Sequence, residues 1–60
     1  MINAIVEVPE PQKGDMWSHS FIGTIVDLID NDTIAIVSDH DEACWTVDVN
    51  RLKVLAEDVT

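Results

Sequence analysis

The chain has no tyrosine and only one cysteine, and its three basic residues stand against twelve acidic ones. A single cysteine, Cys44, excludes an intramolecular disulfide, a four-cysteine zinc site and a CxxC redox motif. No apolar run approaches the roughly 20 residues that a membrane-spanning helix needs, and the first residues lack the basic start of a signal peptide. We therefore expect a soluble protein in the reducing cytoplasm, with no membrane contact.

The formal net charge of -9 limits the partners that the chain can bind. Direct binding to nucleic acid is disfavoured, because it relies on lysine and arginine to neutralise phosphates. Attraction to a basic protein surface is compatible with this charge and would speed association. Solubility alone also explains an acidic surface. The partner that we expect is a larger protein, with a basic surface as one option.

Residues 1–60 are short enough for only one domain, and 47% of them are hydrophobic, which is sufficient for a small core. Alternation and turn signals predict strands at 3–8, 21–29, 33–38 and 44–49, a helical turn at 50–52 and a last strand at 53–55. We expect an ordered core over about residues 3–55 and an acidic tail at 56–60.

Two of the predicted strands have informative patterns. Residues 21–29 are apolar on both alternation phases, which predicts a strand that is buried on both faces or one that bends, with Gly23 at the bend. In residues 44–49 the alternation separates a core set from a set that faces water or a partner. The core set is Trp45, Val47 and Val49, and the outward set is Cys44, Thr46 and Asp48.

Five short strands with a long first loop, two tight hairpins and a one-turn link form the layout of a small barrel. The segment "GTIVDLIDNDTIAIVSDHDEACWTVDVNRLKVL" resembles the SH3-like barrels, in which a Gly-containing strand, a hairpin, a Val-rich strand, a polar turn and a closing strand recur. The resemblance covers residues 21–55 and implies an all-β, five-stranded SH3-like barrel. Because it carries no diagnostic motif, it speaks to fold rather than function.

The chain departs from two functional groups within that family. Members that bind proline-rich peptides have a groove rich in tyrosine, and this chain has none. Members that bind nucleic acid carry basic loops, whereas the loops here are acidic. The role that the resemblance still implies is that of an accessory subunit or adaptor in a larger assembly.

Neither metal binding nor catalysis is predicted. Asp39, His40, Asp41 and Glu42 are nearly consecutive, so their side chains point to different sides, and His19 alone would have to complete a metal site. A nucleophilic set of Cys44, His40 and Asp48 would lack an oxyanion hole. We expect no enzyme, no metal and no cofactor, and a metal-responsive module is the third interpretation of the function, behind two binding roles.

Trp17 lies in a polar loop beside Met16 and His19, where no strand periodicity requires an apolar residue. Tryptophan and methionine are enriched in interface cores, which suggests a docking side chain. The alternative is that Trp17 folds back as a lid over one end of the small core. The sequence leaves both interpretations open.

The acidic residues concentrate in two turns on the order of 20 Å apart, at the two ends of one strand. Our prediction is a non-enzymatic interaction module that docks on a larger partner through the Trp17 loop and an acidic rim. The alternative is an acidic DNA mimic whose carboxylates imitate a phosphate backbone. The candidate partner-binding residues are Met16, Trp17, His19, Asp30, Asp32, Asp39, Asp41 and Glu42.

Overall fold

One antiparallel sheet of five strands forms the framework of the computed structural model, which describes residues 1–57. The strands are β1 (Ile5–Val8), β2 (Phe21–Ile29), β3 (Ile34–Ser38), β4 (Cys44–Asp48) and β5 (Lys53–Ala56), with a 3₁₀ helix, Val49–Arg51, between β4 and β5. The spatial order is β4-β3-β2-β1-β5, so the last strand returns to pair with the first. The predicted all-β class is confirmed.

The predicted boundaries agree with the observed elements to within two residues. The first strand begins at Ile5 instead of residue 3, and Val49 belongs to the 3₁₀ helix instead of the preceding strand. Asp48 caps that helix, since its Oδ1 accepts a hydrogen bond from the backbone nitrogen of Asn50 at 2.9 Å. The sequence predicts that the acidic tail begins at residue 56, but Ala56 is part of β5. Residues 58–60 of that tail lie outside the described residues.

Strand β2 bends at a bulge and is not buried on both faces. Its register against β3 shifts between Ile25 and Asp27, so Val26 is the extra residue, and Val26 is exposed. Gly23 has a different role from the one predicted. A Cβ atom there would lie only 2.5 Å from the backbone oxygen of Ser38, so glycine permits the close approach of β2 and β3.

The core lies on the inward face of β1 to β4 and is completed by Ala4, just before β1, and by Trp17 from the β1–β2 loop. The buried side chains are Ala4, Val6, Val8, Trp17, Ile25, Ala35, Val37 and Val47. A fully buried valine or isoleucine contributes about 1.5–3 kcal/mol relative to an exposed one. Trp45 and Val49 are half-buried and pack against this cluster, while Cys44, Thr46 and Asp48 are exposed, as the alternation predicts.

Three connections position the side chains that matter below: the β1–β2 loop (residues 9–20), the β2–β3 turn (30–33) and the β3–β4 turn (39–43). In an antiparallel meander alternate connections lie at the same end of the sheet. The β1–β2 loop and the β3–β4 turn therefore meet, and the β2–β3 turn lies away from them. No helix within residues 1–57 is long and apolar enough to cross a bilayer.

Candidate functional site

A cleft of about 150 Å³ opens where the β1–β2 loop meets the β3–β4 turn. Its lining residues are Trp17, Ser18, His19, Phe21, Asp39, His40, Asp41 and Trp45. The chain has only three aromatic residues and two histidines, so the cleft collects all five of them. Its lining includes two aspartates and neither lysine nor arginine. The cleft is therefore aromatic and acidic.

Asp39 builds one wall of the cleft by organising the β3–β4 turn. Its Oδ1 accepts hydrogen bonds from the backbone nitrogens of Asp41 at 2.9 Å and Ala43 at 3.0 Å. The backbone of Asp39 also bonds to Ala43 and Glu42, and Glu42 takes a positive φ of 66°. An aspartate side chain that bonds to the backbone beyond it is a common way to fix a tight turn. The turn thus depends on the Asp39 carboxylate.

The same carboxylate fixes the position of Trp45 at the base of the cleft. The Trp45 indole Nε1 donates a hydrogen bond to Asp39 Oδ2 at 3.0 Å. This indole bond, followed by the two backbone bonds, lowers the pKa of Asp39 below its ordinary value of 3.8 against the opposing effect of desolvation. Asp39 is therefore ionised at neutral pH and supplies a fixed negative charge inside the cleft.

Trp17 is a core residue, which decides between the two interpretations of its role. It is only 5% exposed, and its Nε1 donates a hydrogen bond to the backbone oxygen of Pro9 at 2.8 Å. The lid interpretation is therefore the one that matches its position, and an exposed docking tryptophan is not present. One edge of Trp17 still lines the cleft.

An ion pair secures the loop that carries Trp17. Arg51 donates from its two terminal nitrogens to both oxygens of Asp15, at 3.0 and 2.9 Å, and its guanidinium lies 5.2 Å from the Trp17 ring centroid. The bond from Arg51, and then one from the backbone nitrogen of Gln12, lowers the pKa of Asp15. The pKa of Arg51 is raised, chiefly by the same bond. The loop is thus fastened to the 3₁₀ helix.

The rim of the cleft is formed by three exposed ionisable side chains. His40 Nε2 lies 3.4 Å from Asp41 Oδ2, and these two side chains are 88% and 78% exposed. His19 Nδ1 lies 3.2 Å from the hydroxyl of Ser18 on the opposite side. Asp41 keeps most of its carboxylate in solvent, so it is available to a ligand, whereas Asp39 is committed to the turn.

The cleft brings together only half of the eight predicted partner-binding residues. Trp17, His19, Asp39 and Asp41 line it. Met16 is 82% exposed but does not line it. The other three, which also lie outside the lining, are Asp30, Asp32 and Glu42.

Four lining residues were absent from the predicted set, namely Ser18, Phe21, His40 and Trp45. For Trp45 the sequence contains a signal, namely its place on the inward set of the alternation. The indole of Trp45 and the carboxylate of Asp39 flank the same turn, six residues apart. Phe21 opens β2 directly after the loop. Its place in the cleft depends on how the loop folds, which residue spacing does not reveal.

Asp30 and Asp32 have a local role at the β2–β3 turn. Asp30, Asn31 and Asp32 take successive positive φ values of 54°, 57° and 65°. Aspartate and asparagine tolerate this left-handed region better than most residues. Thr33 Oγ1 closes the turn by donating to the Asp30 backbone oxygen at 2.6 Å. These residues thus have a structural reason to occupy the turn.

The side chains that the sequence suggests for a metal site and for a nucleophilic site do not come together as one group. Among residues 1–57 no group of three His, Cys, Asp or Glu side chains is placed to hold a metal ion. Cys44 and Asp48 lie four residues apart on the outward face of β4, about 13 Å along the strand, so they cannot serve one nucleophilic site. Comparison with protein-family models, curated proteins and solved structures gives no significant match.

Proposed function

We propose that this protein is a non-enzymatic interaction module with an SH3-like barrel architecture that docks on a larger protein with a basic surface. The architecture is supported by the long first loop, the two short hairpins and the 3₁₀ link to β5. The last strand, β5, returns to pair with the first, β1, so β4 and β5 are the two sheet edges that a small barrel brings towards each other.

The cleft is the observation that carries the functional proposal. Its aromatic walls and two carboxylates, without a lysine or arginine in the lining, suit a cationic side chain from a partner. Aromatic faces attract cations through their quadrupole, and a carboxylate adds a charge-assisted hydrogen bond. Asp39 contributes a fixed negative field, while Asp41, which lies beside His40 and is exposed, offers its carboxylate to the incoming group. The ligand group is a lysine or arginine side chain.

Short peptides that differ only at a central residue test this preference. Both tryptophans line the cleft, so their fluorescence reports its occupation. Peptides with central arginine or lysine should bind saturably, and matched peptides with glutamine or glutamate should not. Asp41→Asn should weaken arginine binding by about 1.5-fold to 5-fold, the range expected for one exposed ion pair.

Asp32→Asn is the matched control, because it removes the same charge from the turn away from the cleft. It should leave peptide affinity unchanged at moderate salt, where the Debye length of about 8 Å screens distant charges. Equal binding of the glutamate peptide, or equal losses in both variants, would contradict a cation-binding cleft.

The DNA-mimic alternative makes a different prediction about the acidic residues. Recognition would be distributed over many carboxylates. Affinity capture from a cell lysate would then recover basic nucleic-acid-binding proteins. At least four of the acids also form hydrogen bonds within the fold, so their presence does not require a nucleic-acid mimic. These are Asp15, Asp27, Asp39 and Asp48. The interaction module is therefore the better supported proposal.

A further inference from the structure

The outward face of β2, β3 and β4 carries a cluster of apolar side chains, which we call the isoleucine face: Ile29, Ile34 and Ile36. Ile29 pairs directly with Ile34 across β2 and β3, and Ile36 lies two residues further along β3 on the same side. Residues directly opposite on paired strands have Cβ atoms about 4.5–5.5 Å apart, so the three side chains form a continuous patch.

The burial pattern places this patch on the surface. Ala35 and Val37, which alternate with the isoleucines, are fully buried in the core. Ile34 and Ile36 are half-buried residues that belong neither to the core cluster nor to the set that packs against it. Ile29 is 41% exposed. The isoleucines therefore point away from the core.

Two aspartates stand at opposite corners of the isoleucine face. Asp27 is the β2 partner of Ile36, and Asp48 is the β4 partner of Ile34. Both aspartates are exposed. The three basic residues of the chain lie outside β2, β3 and β4, although the charge of Arg51, in the 3₁₀ helix, interacts with that of Asp48. The patch is thus apolar at its centre and negatively charged at its rim.

Strand propensity alone does not account for this composition. β-branched residues favour strands, and cross-strand pairs of them stabilise a sheet by about 0.2–1 kcal/mol. Threonine is also β-branched, and Thr24 and Thr46 are strand residues that lie outside the core. Threonine at the positions of the three isoleucines would also favour a strand and would place a hydroxyl at the surface. Isoleucine instead leaves apolar side-chain area there.

We propose that the isoleucine face is a second docking surface, separate from the cleft, for a cationic amphipathic segment of a partner protein. Its apolar side chains would cover the isoleucines, and lysines or arginines on its flanks would pair with Asp27 and Asp48. Charge complementarity selects this occupant. A second copy would bring another -9 charge and place like aspartates together, which opposes self-association through this face.

A synthetic helical peptide with a leucine stripe flanked by lysines is the probe. Isoleucine methyl and backbone amide signals are followed by NMR as the peptide is added. The resonances of Ile29, Ile34 and Ile36 should shift together and saturate. The same peptide with glutamate in place of each lysine should produce no shift, and added salt should weaken binding.

Two variants and a control define the surface. Ile36→Thr should raise the Kd about tenfold, equivalent to roughly 1.4 kcal/mol. Ile22→Thr changes a β2 isoleucine that is 60% exposed but outside the face, and it should leave the Kd unchanged. The double substitution Asp27→Asn with Asp48→Asn keeps the side-chain shapes and the helix cap, and it should weaken binding as well.

Several outcomes would overturn this proposal. Absence of binding, equal Kd values for Ile36→Thr and wild type, or shifts centred on His19 and Trp45 would each do so. The last outcome would leave the proposed function of the cleft intact. Concentration-dependent dimerisation through Ile34 and Ile36, measured by sedimentation, would show that a second copy occupies the face and would also overturn it.

Discussion

Trp17 is the residue on which the small core most depends. Its ring is almost fully buried, its indole nitrogen is satisfied by Pro9, and the Arg51 guanidinium lies over its face. A chain this short buries only about 60% of its unfolded surface, so one large side chain supplies a substantial part of the core. The tryptophan in the polar loop is therefore explained by folding, with its edge left to the cleft.

Replacement of Trp17 by alanine should destabilise the protein severely. Removing a buried tryptophan costs about 3–5 kcal/mol, and a domain of this size has roughly 3–9 kcal/mol in total. Trp17→Phe retains most of the apolar volume and loses the bond to Pro9, which is worth about 0.5–1.5 kcal/mol. Urea unfolding followed by circular dichroism measures both. Equal stability of wild type and Trp17→Ala would show that this side chain is not part of the core.

Asp39 connects the stability of the turn to the shape of the cleft. One carboxylate holds two backbone amides and the Trp45 indole, and together these bonds favour its ionised form. A folded-state pKa below the unfolded value means that the unfolded chain takes up protons first as pH falls. The stabilisation from ionised Asp39 is thus complete well above pH 3.8 and is lost as pH falls through the lowered pKa.

Asp39→Asn should lower the melting temperature at pH 7, because asparagine cannot provide the charged acceptor. The gap between wild type and variant should narrow as pH falls below the ordinary aspartate value of 3.8. Comparing the two proteins removes the effect of the other carboxylates, because their protonation changes the melting temperature of both proteins. A difference in melting temperature that stays constant from pH 7 to pH 2 would contradict this role for the ionised side chain.

At the scale of elements, the Asp15–Arg51 pair joins two segments that are distant in sequence. It holds the β1–β2 loop against the 3₁₀ helix with the planar, two-bond geometry that arginine forms with a carboxylate. Lysine has the same charge but cannot reproduce that geometry. Loop position, and with it the loop side of the cleft, therefore depends on arginine specifically.

Limited proteolysis with trypsin tests whether the Asp15–Arg51 pair restrains the β1–β2 loop. Lys13 lies in the β1–β2 loop, so cleavage after it reports how often the loop leaves its folded position. Arg51→Lys and Asp15→Asn should each accelerate this cleavage several-fold, as measured by mass spectrometry. Asp32→Asn should leave the rate unchanged. Unaltered cleavage in both loop variants would mean that the ion pair does not restrain the loop.

The elements were more predictable from the sequence than the contacts between them. Strand bounds followed from alternation and turn residues, because those signals are local. The pairing of Asp15 with Arg51 spans 36 positions and has no local signal. The cleft has no local signal for the same reason, because its two sides come from separate segments of the chain. The sequence predicts a bend at Gly23, because it does not show that Ser38 and Val37 approach this residue so closely.

At the scale of the whole molecule, twelve acidic and three basic residues make self-repulsion a general cost of folding. Raising NaCl from 10 mM to 1 M shortens the Debye length from about 30 Å to about 3 Å. The melting temperature should therefore rise. A gain of about 1 kcal/mol corresponds to roughly 4–8 °C in a domain of this size. A constant or falling melting temperature would show that attractive pairs outweigh the repulsion.

We propose above that the cleft between the β1–β2 loop and the β3–β4 turn receives a cationic side chain. An NMR titration of the labelled protein with an arginine-containing peptide tests it most directly, because the chain has only two indole signals and both tryptophans line the cleft. The Trp45 indole, His19 and Asp41 signals should shift together and saturate, while the β2–β3 turn stays unchanged. Shifts spread evenly over all the acidic residues, or no shifts at all, would contradict the claim.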